Sequence, residues 1–264
     1  MAPPIITLTT DFGESSGYVA QMKGAILSVA TDVTIVDVTH AIRPQDIHQA
    51  ALVIADTWRY FPRGTIHIAV VDPGVGTTRR ILCAHCSGQV FIAPDNGLLT
   101  AVLALPERGN LVCLEEAKFW REDVSNTFHG RDIMGPVAAH LARGVSPAEL
   151  GPACDQPVLL DFAEPIVSEH EIVGEIIAID SFGNLVTNID RSRIAAGLAA
   201  GCRVRVGKRR IATISKTYGD VVSGKLVAVF GASQRLEIAV AQGSAAQELG
   251  AAIGDKVWLE RLDD

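Results

Sequence analysis

At 264 residues the chain can form one large domain or two smaller ones, and 48% hydrophobic against 20% charged residues supplies a buried core. A formal net charge of -7 argues against bulk attraction to nucleic acid or anionic membranes. No apolar run reaches the ~20 residues of a membrane helix, and no basic region precedes Ile5-Ile6 as a signal peptide requires, so the expectation is a cytoplasmic protein. The cysteines (Cys83, Cys86, Cys113, Cys154 and Cys202) are odd in number and scattered. Cys83-Ala84-His85-Cys86 has no second cysteine pair to complete a metal or redox site and reads as reduced thiols on a strand.

In chain order, Ile5 to Thr10 is a β-prone run ending at Asp11-Phe12-Gly13, and Ser15 or Ser16 is placed to cap the following helix. Val19, Met22, Ala25, Ile26 and Val29 recur at helical spacing. Val33 to Val38 is a second strand, ending at Thr39-His40, and a helix follows from about Ile47 to Tyr60. Thr65 to Val71 is a third strand, broken sharply by Asp72-Pro73-Gly74-Val75-Gly76, with Arg79 and Arg80 closing the loop. Ile81 to Cys83, Val90 to Ala93 and Asn110 to Leu114 are further strands, Leu98 to Leu105 begins a helix, and Thr127 to Asp132 leads into a helix from about Ile133 to Ala142. Alternating strands and helices predict an α/β domain with a mostly parallel sheet between helices. Pro147, Gly151, Pro152 and Pro157 mark a change of texture, beyond which short strands with glycine turns predict an all-β barrel. One of these strands is Arg210 to Ile214. The expected division is residues 1–155, a linker at 156–167, and 168–264.

The chemistry-bearing residues collect at strand ends. In a parallel sheet, Asp11, Thr39-His40 and Asp72 point to one edge, where open α/β sheets bind ligands. Asp11 suits a vicinal diol such as a ribose, or a helix cap. Asp72 with Arg79 fits either a ligand loop or a structural turn with an ion pair. Two glycines without Gly-Lys-Ser/Thr exclude a P-loop. His129 sits at a helix start between Phe128 and Gly130. Asp180-Ser181-Phe182-Gly183-Asn184 offers an aromatic ring, an amide and a carboxylate, suited to a flat polar heterocycle or to an ordinary Asx-rich turn. Arg203, Arg205, Lys208, Arg209 and Arg210 lack interleaved aromatics and read as a solvated hairpin rather than a nucleic-acid face.

TLTTDFG, VDVTH, AVVDPGVGTTRR, APDNGLL, FHGRD, IDSFGNLVTNI and RLEIAVAQGSAA occur in this order. Together they resemble the S-adenosyl-L-methionine (SAM) hydrolases, also called SAM hydroxide adenosyltransferases, relatives of the fluorinating and chlorinating enzymes that attack SAM with halide. The resemblance implies hydrolysis of SAM to adenosine and L-methionine by water or hydroxide attack at the ribose 5′ carbon, with no metal and no cofactor. It implies a homotrimer with active sites between an N-terminal domain and a neighbour's C-terminal domain. It assigns the catalytic set to Asp72, Arg79 and His129, with Asp72 or His129 as base. The substrate-binding positions fall on Asp11 with Phe12, Ser16, Tyr18, Phe128, Asp180, Phe182, Asn184 and Ser233. Asp72 replaces a halogenase tyrosine and Gly130 a halide-binding serine, which points to water as nucleophile. Two alternatives remain, a SAM-dependent halogenase of the same fold and an adenosine- or SAM-binding sensor or scavenger with little turnover.

Overall fold

A computed structural model describes residues 2–105, 107–194 and 201–262. The chain divides into two compact units, Met1–Leu160 and Asp161–Asp264.

The first unit begins with β1 (Ile5–Thr10), α1 (Tyr18–Val29), β2 (Thr34–Thr39), α2 (Ile47–Thr57) and β3 (Ile66–Val70). It continues with β4 (Ile81–Cys86), β5 (Gln89–Pro94), α3 (Thr100–Leu103), β6 (Arg108–Cys113) and α4 (Gly135–Ala142). The sheet order is β2-β1-β3-β5-β4-β6. β1 pairs in parallel with β2 and β3, and β3 with β5, whereas β4 runs antiparallel to both neighbours. Five of the six strands therefore share one direction. The reversal at β4 comes from a tight hairpin in which Ser87 and Gly88 both have positive φ, at 50° and 73°, the geometry a two-residue turn needs to match strand twist.

Both faces of the sheet are buried, as uninterrupted apolar strand sequences require. Ile6, Leu8, Ile68 and Ile92 pack with Met22 and Ile26 of α1 and Val137 of α4. Ala69, Val71, Phe91 and Ala93 pack on the other face with Ala50 and Ile54 of α2. Cys83 and Cys86 belong to these two different cores, so the pair is split across the sheet and both are free thiols.

Three local expectations are corrected. Neither Ser15 nor Ser16 caps α1. The cap position is Gly17 without a side-chain bond, and the Ser16 hydroxyl instead donates to Phe12 O at 3.1 Å, bracing the preceding loop. The helix at Leu98–Leu105 is a single turn, α3. The helix expected from Ile133 starts at Gly135, preceded by a wide π turn over Gly130–Met134.

The second unit contains β7 (Ile166–Val167), β8 (Glu171–Ile179), β9 (Leu185–Asp190), β10 (Cys202–Val206) and β11 (Arg209–Ile211). β12 (Ile214–Ser215), β13 (Leu226–Phe230), β14 (Arg235–Val240), α5 (Ala245–Leu249) and β15 (Lys256–Arg261) complete it. The order is β11-β10-β15-β8-β9-β14-β13-β12, with β7 on β8. The strand expected over Arg210–Ile214 is broken at Ala212-Thr213 into β11 and β12. Those two residues join the two end strands of the sheet, which therefore curls into a nearly closed barrel around Ile172, Ile176, Val204, Leu236, Ile238 and Val257. On its outside, Arg203 and Arg205 each donate from Nε to Glu260 at 2.7 Å, and Arg209 pairs with Glu248. Three of the five cations in the basic cluster are thus paired with carboxylates of β15 and α5.

One buried polar network ties strands of the first unit together. His67 is 2% exposed and stacks on Phe91. Its Nδ1 meets the Thr7 hydroxyl at 2.8 Å, its Nε2 meets Gln89 Oε1, and the Gln89 amide donates to Trp58 O and Phe61 O. Burial pushes the His67 pKa down to about 4 from its ordinary 6.5. The unfolded chain therefore binds a proton that the folded one refuses. The associated stability is complete above pH ~6.5 and is lost as pH falls toward 4. Urea unfolding at pH 5 should give about 2 kcal/mol less stability than at pH 7.5 from this group, and His67→Gln should shrink that difference. An unchanged pH dependence in the variant would remove His67 as its source.

Candidate active site

The strand order places the C-terminal ends of β1, β2 and β3 along one edge, and the loops leaving them are joined by hydrogen bonds. Gly13 N donates to His40 O at 2.8 Å. The Thr10 hydroxyl accepts from Phe12 N and meets His40 Nδ1 at 2.8 Å. His40 Nε2 lies 3.1 Å from Asp37 Oδ1 but out of line for a hydrogen bond. Asp11 Oδ2 accepts from Gln45 N at 2.9 Å, and Gln45 adopts a φ of 66° to present it.

The loop after β3 is wound tightly. Val75 N donates to Asp72 O, and both the amide and the hydroxyl of Thr77 donate to Gly74 O. Gly76 has φ 76° and lies against Asn126, whose carbonyl oxygen would be 2.2 Å from a Cβ at this position. This reversal brings Arg79 back onto Asp72. Arg79 Nε lies 3.0 Å from each Asp72 carboxylate oxygen, and Nη2 donates to Oδ2. The same Nη2 donates to His129 Nδ1 at 2.8 Å. The two ion-paired side chains are only 12% (Arg79) and 6% (Asp72) exposed. Arg80 points elsewhere, holding Asp95 and the carbonyls of Asp155 and Gln156.

A guanidinium can only donate, so His129 Nδ1 carries a lone pair and the neutral ring bears its proton on Nε2. Burial, and then the positive charge of Arg79, push the His129 pKa below its ordinary value, outweighing the pull of Asp72 and Asp132. His129 is held at the start of the π turn. Beside it, Asp132 is fully buried and accepts twice from Arg131 and once from Ser125 N. Burial pushes the Asp132 carboxyl up, but these bonds and the nearby arginines hold it below the usual range.

A cavity of about 320 Å³ lies at this edge, walled by Asp11, Phe12, Asp72, Phe128, His129 and Gly130 among others. Phe12, Tyr18 and Phe128 form an edge-to-face trio with centroids 5.3–6.1 Å apart. The expected residues Asp11, Phe12, Asp72, Arg79, Phe128 and His129 thus come together. Tyr18 touches this group through its ring, and Ser16 through the Phe12 carbonyl. The Gln45 amide, the Asp132 anchor and the Thr10–His40 link were missed. VDVTH and FHGRD contain two of these residues, but nothing in the spacing shows what they bind.

In the second unit, Asp180 Oδ1 accepts from Phe182 N and Asn184 N, and Oδ2 accepts from the Asn184 amide. The carboxylate thus holds its own turn in shape. Asn184 is buried, whereas the Phe182 ring is 75% exposed. Ser233 lies in the turn before β14. The register pairs Arg235 with Asp190 and Ile238 with Leu185, so Ser233 and Phe182 sit at opposite ends of the β9–β14 pair. Among the described residues, no three His, Cys, Asp or Glu side chains gather as a metal site, and no helix is long and apolar enough to cross a membrane.

Residues 6–151 match the family model of the SAM hydroxide adenosyltransferase N-terminal domain, and residues 174–258 match that of its C-terminal domain. The chain is 37% identical to a protein of Salinispora tropica named (R)-S-adenosyl-L-methionine hydrolase, covering 97% of this chain and 98% of the relative. It is similar, at 36% identity over 77% of each chain, to a protein of Nocardia brasiliensis named fluorinase. A crystal structure of an uncharacterized conserved protein from Thermotoga maritima superimposes with a TM-score of 0.90 at 34% identity, covering 97% of this chain and 100% of the other.

The close approach at Gly76 sets the Asp72 loop. Gly76→Ala should cost about 2–4 kcal/mol in urea unfolding, from a left-handed alanine plus the clash with Asn126. Gly13→Ala is the control, since its φ of 69° is similar but nothing lies within 4 Å of its Cβ. It should cost only about 1–2 kcal/mol. Equal losses would show that the contact with Asn126 is not what holds the loop.

Proposed function

The chain belongs to the SAM hydroxide adenosyltransferase family, and we propose that it hydrolyses S-adenosyl-L-methionine to adenosine and L-methionine on the Asp72–Arg79–His129 cluster. The single observation carrying this reading is the Arg79 guanidinium, locked on Asp72 and donating to His129 Nδ1, two side chains that stand in the wall of a ligand-sized cavity. Its volume falls within the ~300–1,000 Å³ of small-molecule sites.

The leaving sulfonium departs as a neutral thioether, so no general acid is required. The nucleophile is the difficulty. As the oxygen of water bonds to the 5′ carbon its protons become acidic, and a fixed carboxylate then suffices to take one. Asp72 fills that role in the proposed reaction. His129 has its acceptor nitrogen occupied by Arg79, so it acts as a donor from Nε2 and orients the water. Holding that water in line behind the 5′ carbon can supply part of the ~7–11 kcal/mol that orientation contributes at best. Asp11 has Oδ2 engaged by Gln45 N, and Oδ1 is assigned to a ribose hydroxyl.

The proposal includes a homotrimer in which the turn bearing Phe182 closes the cavity of a neighbouring subunit. An exposed aromatic ring on a turn fixed by three hydrogen bonds to Asp180 supports this. Asp180, assigned near the methionine end, thereby positions Phe182 and Asn184 for the adenine, and Ser233 is a further proposed substrate-binding position. The proposal also includes a cytoplasmic site of action, in keeping with five buried free thiols, and no cofactor.

Purified protein incubated with SAM should yield adenosine and methionine at the same rate with and without chloride, followed by liquid chromatography. Bound ligand without product would favour a sensor, and chlorinated adenosine a halogenase. Asp72→Asn should lower kcat by about 10²–10⁴-fold with little change in KM. The kcat should hold steady down to pH ~6.5 and fall only below it, because neutral His129 is the working form and its pKa is depressed. An acid limb above that value would contradict the assigned protonation state. Light scattering should give three times the chain mass, and a monomer with full activity would remove the trimer from the proposal.

A further inference from the structure

A second cavity lies behind the catalytic cluster. It measures about 310 Å³, and its walls include Thr77, Arg79, Glu115, Trp120, Val124 and His129. Of all the residues bordering the first cavity, only His129 also borders the second. Asp72 belongs to the first and Arg79 to the second. The hydrogen-bonded group Asp72–Arg79–His129 is therefore a partition between two chambers, with substrate assigned to one of them.

The second chamber has the properties of a water compartment. It is roomy enough to hold several waters. Arg79 uses Nε and Nη2 on Asp72 and His129, and its Nη1 donates to nothing among the described residues. A nearly buried cationic donor without a protein acceptor is costly unless water serves it. Glu115, an exposed carboxylate, stands in the wall of the same chamber, so the chamber has an ionisable group in contact with solvent.

The hydrolytic reaction needs such a compartment. Each turnover forms one bond from water oxygen to the 5′ carbon. It breaks the carbon–sulfur bond with the electron pair going to sulfur, and it releases one proton. A substrate filling the first cavity closes that side to both the incoming water and the outgoing proton. We propose that the second cavity supplies the water and carries the proton away, with Glu115 passing it to solvent; this rests on the hydrolytic reading of the first cavity. The proton is first held on Asp72. Neutralising that carboxylate weakens its charge-assisted bonds to Arg79, the side chain that faces the second chamber. The loosened guanidinium opens the partition to a water of that chamber, which takes the proton on to Glu115. His129 keeps its proton on Nε2 throughout.

Two variants test the route from different sides. Glu115→Gln removes the acceptor without changing the shape of the wall. It should lower kcat about 10–100-fold, leave KM and the melting temperature unchanged, and recover in part when a small carboxylate buffer such as acetate is raised. Glu115→Asp should retain most of the rate. Val124→Trp fills the chamber and should lower kcat with unchanged affinity for adenosine, with no rescue by acetate. Wild-type kcat in both Glu115→Gln and Val124→Trp, with the wild-type protein hydrolysing SAM, overturns the route and leaves the hydrolase reading intact. No adenosine from the wild-type protein overturns both.

Discussion

The site depends on one guanidinium with two different acceptors. Arg79 binds a carboxylate with Nε and Nη2 and an imidazole with Nη2. Each contact constrains the chemistry of the other. The carboxylate neutralises a cation that is almost wholly removed from water, without which its burial would be strongly unfavourable. The imidazole is forced into one tautomer because its partner cannot accept. The tightly wound segment between Asp72 and Arg79 makes this possible, since the arginine must fold back on the strand end it has just left. Gly76 serves that reversal in the one backbone region, and at the one distance from Asn126, that a side chain would obstruct.

The sheet explains why these groups meet where they do. The chain leaves β1 across the α1 face, returns to β2, then crosses by the α2 face to β3 on the other side of β1. The direction of winding thus reverses between β1 and β3, and the loops after those strands part at their C-terminal ends. Such a switch point leaves a crevice that neither crossover helix covers. Asp11 stands on one side of it and Asp72 on the other, and the Gly13–His40 and Asp11–Gln45 bonds fix the first side. The antiparallel strand β4 lies away from this point, between β5 and β6, where its reversal does not disturb the crevice.

Strand runs and their polar ends are legible in the sequence because both faces of the sheet are buried. Ile5–Thr10 and Thr65–Val71 are apolar or β-branched almost throughout and stop at an aspartate. Parallel pairing then places those aspartates together without further information. The Arg79–His129 contact, 50 residues apart, is not legible, since spacing does not show which arginine turns inward. Arg79 and Arg80 are adjacent, and only packing sends the first to Asp72 and the second to Asp95. Ser16 looks like a helix cap but spends its hydroxyl on the Phe12 carbonyl. Asp180 looks free to meet a ligand, yet both of its oxygens accept from within its own turn. In these cases short-range hydrogen bonds compete for the side chain, and the sequence cannot show which partner wins.

The proposed choice of water over halide follows from the donors and acceptors at the cavity wall. Water both donates and accepts, while a halide only accepts. Asp72 offers an acceptor and the fixed tautomer of His129 offers a donor, a pair that satisfies water on both sides. A halide in the same position would gain one donor and face a carboxylate of its own charge across a poorly solvated gap. Gly130 contributes by having no side chain. A Cβ there would stand 3.3 Å from a Val70 methyl and 3.5 Å from the Phe12 ring, so an added side chain would fit only if the Val70 methyl gave way by a few tenths of an ångström. With no hydroxyl at position 130, the balance between Asp72 and His129 stands undisturbed there, and in the proposed reaction that balance selects a nucleophile that can lose a proton.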